Sequence, residues 1–461
     1  MEMEGVAEKR GCLVLVPYPF QGHMTPMLQL GHTLNSKGFS IIVAHTQFNA
    51  PDPKNHPEFT FHGLEDGILE SDFAVSGTRL KTKFMNENCR APFEDFLKEK
   101  GDLVSCVIYD SAMFFVDQVA VLFNLPSIVL RPYNAVFLQA LLHVLENEDT
   151  ISLFPESRLE DSIPEFHPVR YQDIPYCRDS KEVKSFIGNI IKIRSSLAII
   201  WNTTEDLEQT WLSRFQQHNK VPIFPIGPLH KTALAHGTSL IEEDDSCLAW
   251  LDKQAPQSVL FVGVSGSLAT IGQRDFEEIA WGLADSNQPF LWAVRAGSVN
   301  EKKDEIIEDF EKRVGNRGKL VKWAPQKDVL AHSSVGGFWS HCGWNSTLES
   351  ICEGIPMICK PLIADQFVNA RFLVHEWKVG LALEEVERSV IADTVRKLVV
   401  GDERKELKKN AMEMKRKMAD CLEKGGSSYR ALNELTHFIS SLPPRTSICG
   451  SIQSKAEWFV S

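Results

Sequence analysis

Basic charge is scarce in this sequence. Acidic side chains number 61 against 49 basic ones, and the formal net charge is −12. A surface of that sign repels phosphate backbones, and no basic tract breaks the pattern, so a general nucleic-acid partner is excluded. Long apolar runs are missing too. The stretch from Cys12 to Phe20 is too short to span a bilayer and leads into Gln and Gly, so it reads as a strand rather than a signal peptide. The ten cysteines are scattered without a CxxC pair, and the closest set, Cys342, Cys352 and Cys359, lacks metal-ligand spacing. Free thiols in a reducing cytosol are the expectation. A complete GxGxxG fingerprint is absent, which disfavours a nicotinamide dehydrogenase. Asn202-Thr-Thr and Asn345-Ser-Thr match the glycosylation sequon, and with no export signal both are expected to be accidental.

What is present is enough for a large core. A chain of 461 residues, 43% of them hydrophobic, favours two or three domains. Strand-like runs at Leu13 to Val16, Ser40 to Ala44, Val104 to Tyr109 and Ile128 to Leu130 alternate with helical patterns, which argues for a parallel sheet covered on both faces. The pattern restarts with strands at Val259 to Val262, Phe290 to Val294, Lys319 to Lys322 and Gly336 to Ser340. A helix follows from about Ser346 to Glu353, ended by Gly354 and Pro356. Between the halves, Pro222-Ile-Phe-Pro-Ile-Gly-Pro228 and the polar stretch through Asp245 read as a linker. In open parallel sheets ligands bind beyond the carboxyl ends of the strands, so chemistry is expected just after them.

Two clusters stand there. His23 follows the first strand and Asp110 ends the third; a histidine titrates near neutrality, and a carboxylate beside it would fix its tautomer and stabilise its charged form. On position alone, two unrelated loop residues are the simpler reading. The second cluster, Trp339-Ser-His341-Cys-Gly343-Trp344-Asn345-Ser346-Thr-Leu-Glu349, crosses from strand to helix. A helix start offers unpaired N–H groups to a phosphate, and Gly343 lets backbone come close. Ser346-x-x-Glu349 reads equally as a capping box. Gly263-Val-Ser265-Gly-Ser267 is the nearest approach to a nucleophile elbow but has Ser where the second Gly should stand, which leaves a Ser/His/Asp hydrolase as an alternative, beside a non-catalytic UDP-sugar or metabolite-binding protein.

The span Trp323-Ala-Pro-Gln326, Leu330-Ala-His332, His341-Cys-Gly-Trp344-Asn-Ser-Thr-Leu-Glu349, Glu353-Gly-Ile-Pro356 and Ala364-Asp365-Gln366 resembles the signature box of the plant secondary-product glycosyltransferases, the UDP-dependent family 1 enzymes. Pro19-Phe-Gln-Gly-His23, Trp201-Asn-Thr-Thr-Glu-Asp-Leu-Glu208 and Ile226-Gly-Pro-Leu229 resemble the family in order, so the likeness covers nearly the whole chain. It implies an α/β GT-B fold, two Rossmann-like domains facing across a cleft. Residues 1–225 would bind the acceptor, 226–245 would link, 246–426 would bind the UDP-sugar, 427–442 would form a helix returning to the N-terminal domain, and 443–461 a loose tail. By the resemblance, Trp323 stacks on uracil and Ala324 offers it backbone hydrogen bonds. Gln326 and Glu349 meet the ribose, while His341, Asn345, Ser346 and Ser267 hold the diphosphate. Trp344, Asp365 and Gln366 address sugar hydroxyls. Each role suits its side chain: an aromatic face for a base, carboxylates and amides for hydroxyls, N–H and O–H donors for phosphate. His23 and Asp110 become base and orienter, and Phe20, Asn88, Met113 and Leu362 are expected to line the acceptor pocket. The expected reaction is inverting transfer of glucose from UDP-glucose to a hydroxyl or carboxyl group of a small plant metabolite. No metal and no other cofactor are expected. The chain is expected to be a cytoplasmic monomer whose partners are the acceptor and the UDP-sugar.

Overall fold

The computed structural model describes residues 10–68, 78–147, 155–175, 181–192, 194–233, 237–264, 266, 271–295 and 303–443. Short runs of aliphatic and aromatic residues form the strands. In the N-terminal half these are β1 (Cys12–Val16), β2 (Ser40–Thr46), β3 (Thr60–Leu64), β4 (Val104–Asp110), β5 (Ser127–Arg131), β6 (Ala198–Trp201) and β7 (Ile223–Pro225). All pairings are parallel, in the order β3-β2-β1-β4-β5-β6-β7. Alternate residues of β1 enter different cores. Val14 and Val16 pack with Phe93, Val107 and Tyr109 on one face, and Leu13 and Leu15 with Leu28, Ile41 and Cys106 on the other. Burial on both faces is why these strands read as continuous apolar runs without polar alternation.

The second half repeats the plan with β8 (Val259–Gly263), β9 (Phe290–Ala293), β10 (Gly318–Val321), β11 (Val335–Ser340), β12 (Met357–Cys359) and β13 (Gly380–Ala382), again parallel, in the order β10-β9-β8-β11-β12-β13. The chain is thus α/β with two Rossmann-like sheets, and each has a point where strand order reverses, beside β1 and β4 in one and β8 and β11 in the other. Several strands escape sequence reading for physical reasons. β3 is a half-polar edge, β12 and β13 have three residues each, and β7 lies inside the proline-rich segment that reads as a linker. As an edge strand, β7 tolerates Pro225 because the missing N–H faces no neighbour.

After β13 the chain runs through the helix Glu403–Leu422 into the helix Ser427–Ser440, which lies against the N-terminal sheet. There Leu432, Leu435 and Ile439 pack with Leu13, Ile200 and Phe224, and the rings of Phe224 and Phe438 stand 5.5 Å apart. Ser428 Oγ donates to the Gly227 carbonyl at 2.5 Å. Residues 444–461 lie outside the described residues. Among the described residues no helix is long and apolar enough to cross a membrane.

Candidate active site

The carboxyl ends of β1 and β4 and those of β8 and β11 open on one cavity of about 360 Å³. β1 ends at Val16, and Phe20, in extended conformation, starts the helix Gln21–Ser36, which places His23 in the first turn over the sheet edge. Asp110 is the last residue of β4 and is fully buried. His23 Nδ1 and Asp110 Oδ2 are 2.8 Å apart, and Asp110 Oδ1 accepts the Ala112 N–H at 2.8 Å. The carboxylate is therefore held from both sides. It assigns the proton of the half-buried imidazole to Nδ1 and leaves Nε2 as the free nitrogen. Burial works to lower the pKa of His23, but the charge and hydrogen bond of Asp110, aided by the charge of Asp365, outweigh it and the pKa is raised. The two residues read as unrelated on position alone form one unit.

Across the cavity, β11 ends at Ser340 and the helix Trp344–Glu353 begins, with Gly343 as its extended N-cap and no side chain capping it. The first N–H groups of this helix are thus left for a ligand. Cys342 at φ +63° turns the chain between strand and helix, and Ala364 at φ +54° does the same before Asp365 and Gln366. Two non-glycine residues in the left-handed region mark strained corners of the kind that binding sites carry. His341 Nδ1 faces the Gly263 carbonyl at 3.3 Å, and burial lowers the ring's pKa, so it is a neutral imidazole. A Cβ on Gly343 would lie 2.5 Å from His341 Nε2, and one on Gly266 2.9 Å from it. Gly343 therefore makes room for an imidazole as well as for a ligand.

Because Gly343 is the N-cap, Ser346 lies inside the helix, and Ser346 and Glu349 do not form a capping box. Both meet Gln326 instead, whose Nε2 donates to Ser346 Oγ at 2.8 Å and to Glu349 Oε2 at 2.6 Å. Burial pushes the Glu349 carboxyl up to about 7, against the opposing hydrogen bond from Gln326. Trp323 is oriented by its indole N–H, 3.2 Å from Ser239 Oγ, and Ala324 is buried beside it. The indole N–H of Trp344 is committed to the Asn202 carbonyl at 2.7 Å, so this ring offers the cavity no N–H. Asn345 donates to the Gly22 carbonyl at 2.9 Å and accepts from Asn202 at 3.3 Å. Asp365 accepts from Asn369 at 2.9 Å, and burial pushes its carboxyl up to about 6 although Asn369 and His23 oppose this. Gln366 Oε1 accepts the N–H groups of Leu362 and Ile363 at 2.9 and 3.0 Å, which turns its Nε2 into the donor available to a ligand. Ser267 lies outside the described residues.

The four residues expected in the acceptor pocket are not among those that line this cavity. Phe20 packs on Tyr18 in the core, Met113 is fully buried, Asn88 donates to the Asp66 carbonyl on the surface, and Leu362 gives its backbone to Gln366. The N-terminal wall of the cavity is formed instead by Tyr18, Thr82, Ser111, Tyr133, Phe137, Leu141 and Ile187, among others. Their segments are far apart in sequence, so no local motif could find them. Asn369 also went unread. It donates to Cys342 O at 2.8 Å and meets Asn134 of the other half, and its one signal is a helical spacing of three from Gln366. Glu208 is fixed in the N-terminal half, where its buried carboxylate accepts the N–H groups of Ala135 and Val136 at a helix start. Asn202 is 2% exposed and fully engaged, so its sequon is structural coincidence.

The family model described as UDP-glucoronosyl and UDP-glucosyl transferase matches residues 223–421. UDP-glycosyltransferase 76E1 of Solanum lycopersicum is 49% identical over 97% of this chain and 97% of its own length. Flavonol 3-O-glucosyltransferase UGT76E12 of Arabidopsis thaliana is 41% identical over 96% of this chain and all of its own. Among solved structures, Phytolacca americana UGT2 complexed with UDP-2fluoro-glucose and pterostilbene is similar with a TM-score of 0.79 and 27% identity, over 95% of this chain and all of that one.

Proposed function

The chain belongs to the plant UDP-glycosyltransferases, and from that premise we propose that it is an inverting glucosyltransferase in which His23 is the general base and Asp110 its orienter. Transfer of a sugar from a UDP-sugar follows from membership; the base, the sugar and the stereochemistry are the proposal. The observation that carries it is the 2.8 Å bond between His23 Nδ1 and buried Asp110, in a cavity that also holds Trp323, His341 and Glu349.

In this reading an acceptor hydroxyl gives its proton to His23 Nε2 as its oxygen attacks the anomeric carbon. The bond from that carbon to the β-phosphate oxygen breaks, and the electron pair leaves with UDP. Asp110 stabilises the imidazolium. Charge growing on the diphosphate is met by the N–H groups at the start of Trp344–Glu353 and by Ser346, with no metal between protein and phosphate. Trp323 supports the uracil and Glu349 with Gln326 the ribose. Gln366 Nε2, freed by the two bonds to its oxygen, donates to a sugar hydroxyl, with Asp365 beside it. Glucose is supported by Gln366, which resembles the glucose-selecting choice of the family, and by the UDP-2fluoro-glucose complex of the Phytolacca relative. A single displacement inverts the anomeric carbon, and Asp365, the carboxylate beside the proposed sugar position, is engaged with Asn369 rather than free to act as a nucleophile. The acceptor is a small plant metabolite with a hydroxyl or carboxyl group.

Two measurements test the reading. His23→Ala should lose about 10²–10⁴-fold in turnover while still binding UDP, the range for removing a general base. Proton NMR of the product should give the large anomeric coupling of a β-glucoside. A small, α-type coupling, or a near-normal rate in the variant, refutes the mechanism.

A further inference from the structure

Behind the acceptor wall lies a positive charge with no counter-ion among the described residues. Arg131, the last residue of β5, is completely buried. Its Nη1 donates to Tyr133 Oη at 2.5 Å, its Nη2 to the Ile191 carbonyl at 2.7 Å, and its Nε has no partner. Among the described residues no carboxylate forms an ion pair with it. Asp117, buried nearby, is taken by Ser127, Ser195 and Ser196. Among the described residues its further compensation comes from aromatic faces, Trp201 at 5.9 Å and Tyr133 at 6.0 Å from the guanidinium carbon, and not from an anion. A fully desolvated guanidinium without an anion is costly and asks for one.

Its charge is delivered to the cavity through one atom. Tyr133 Oη accepts from the guanidinium, so its own proton points elsewhere, and the only other polar group in reach among the described residues is Ser111 Oγ at 3.4 Å. A hydroxyl whose lone pair is engaged by a cation is a strengthened donor. The Trp201 indole holds the Tyr133 carbonyl at 2.6 Å, which fixes the ring's backbone. Tyr133 and Ser111 both line the cavity, and Ser111 directly follows Asp110. A donor pair backed by positive charge is therefore one residue from the carboxylate that orients the base.

We propose that the acceptor is a small hydroxy acid: its carboxylate is received by Tyr133 Oη and Ser111 Oγ with Arg131 behind them, and its hydroxyl lies at His23. This rests on the glucosyltransferase reading and narrows its substrate class. The product is a glucoside that keeps a free carboxylate, rather than a glucose ester.

The test measures transfer from UDP-glucose to the three hydroxybenzoate isomers and to their methyl esters, with binding of each to the UDP-loaded protein read by tryptophan fluorescence. At least one acid should exceed its ester in kcat/KM by about ten-fold or more, as a charge-assisted hydrogen bond allows. Tyr133→Phe should bring that ratio close to one, mostly by raising KM for the acid, so that the acid loses much more than its ester. Arg131→Met should act in the same direction, and if it fails to fold Tyr133→Phe decides alone. The product should survive mild alkali. Equal use of acid and ester by the wild type, an equal loss for both in Tyr133→Phe, or an alkali-labile product overturns the proposal while leaving glucosyl transfer intact. If none of the six compounds is glucosylated, binding decides: acids that bind no better than their esters overturn it. Failure to transfer glucose to any acceptor strikes the broader reading instead.

Discussion

Asn345, at the start of the helix Trp344–Glu353, donates its side-chain amide to the carbonyl of Gly22, 2.9 Å away and one residue before His23. The bond runs from one sheet's switch point to the other's. It ties the backbone that carries His23 to the start of the helix Trp344–Glu353, so in the proposed mechanism the base and the leaving group are positioned by the same contact.

Asn345→Ala should therefore lower kcat by about ten-fold or more, since small misplacements of reacting groups are expensive. UDP affinity, measured by calorimetry, should change much less, because the helix N–H groups remain. A variant that loses UDP binding with kcat intact would assign the side chain to the phosphate alone.

The raised pKa of His23 sets a pH dependence. A base must be deprotonated to act, so kcat/KM should fall as pH drops through a value above the ordinary imidazole range near 6.5. Asp110→Asn removes the largest raising influence and leaves burial, which lowers the pKa; Asp365 alone cannot restore it. The acid limb should move to lower pH while the plateau falls about 10²–10⁴-fold. A limb that stays in place in Asp110→Asn would detach the carboxylate from the base.

Sequence reading was strongest where function is local. The run from Trp323 to Gln366 folds into the loops after β10, β11 and β12 and the starts of the three helices that follow them, so its order survives as a legible string. The N-terminal wall of the cavity is non-local: Tyr18, Thr82, Ser111, Tyr133 and Ile187 meet only after the sheet has assembled, and position alone pointed to Phe20 and Met113, which the core had claimed. Ser346 and Glu349 show a subtler limit. Their spacing fits a cap, and only the location of the true N-cap at Gly343 decides against it. Alternating strands and helices gave the α/β plan, while Pro225 hid an edge strand inside an apparent linker.

In the proposed mechanism Gln366 reads the sugar through Nε2, the donor left free by two backbone bonds to its oxygen. Gln366→His cannot reproduce both bonds, so UDP-glucose use should fall, by about ten-fold or more for a site built around specific hydroxyls. Kinetics with UDP-glucose and UDP-galactose check it; unchanged glucose use would remove Gln366 from sugar recognition.

Gly343→Ala tests the crowding at the helix start. The new Cβ would sit 2.5 Å from His341 Nε2, so the imidazole or the turn must shift. UDP binding should weaken by about ten-fold, with a drop in thermal stability of the size expected for overpacking, about 1–3 kcal/mol. Unaltered UDP affinity would show that the turn is free to adjust.

The helix Ser427–Ser440 also orders events during synthesis. Leu432, Leu435 and Ile439 complete a face of the first sheet, yet they are made only after the whole second sheet. At roughly 5–20 residues per second the ribosome releases the N-terminal strands well before their covering arrives. Until then Leu13, Ile200 and Phe224 border an open apolar surface, a natural foothold for chaperones. The first half expressed alone would keep that surface for good, and its solubility would be restored only by supplying the closing helix.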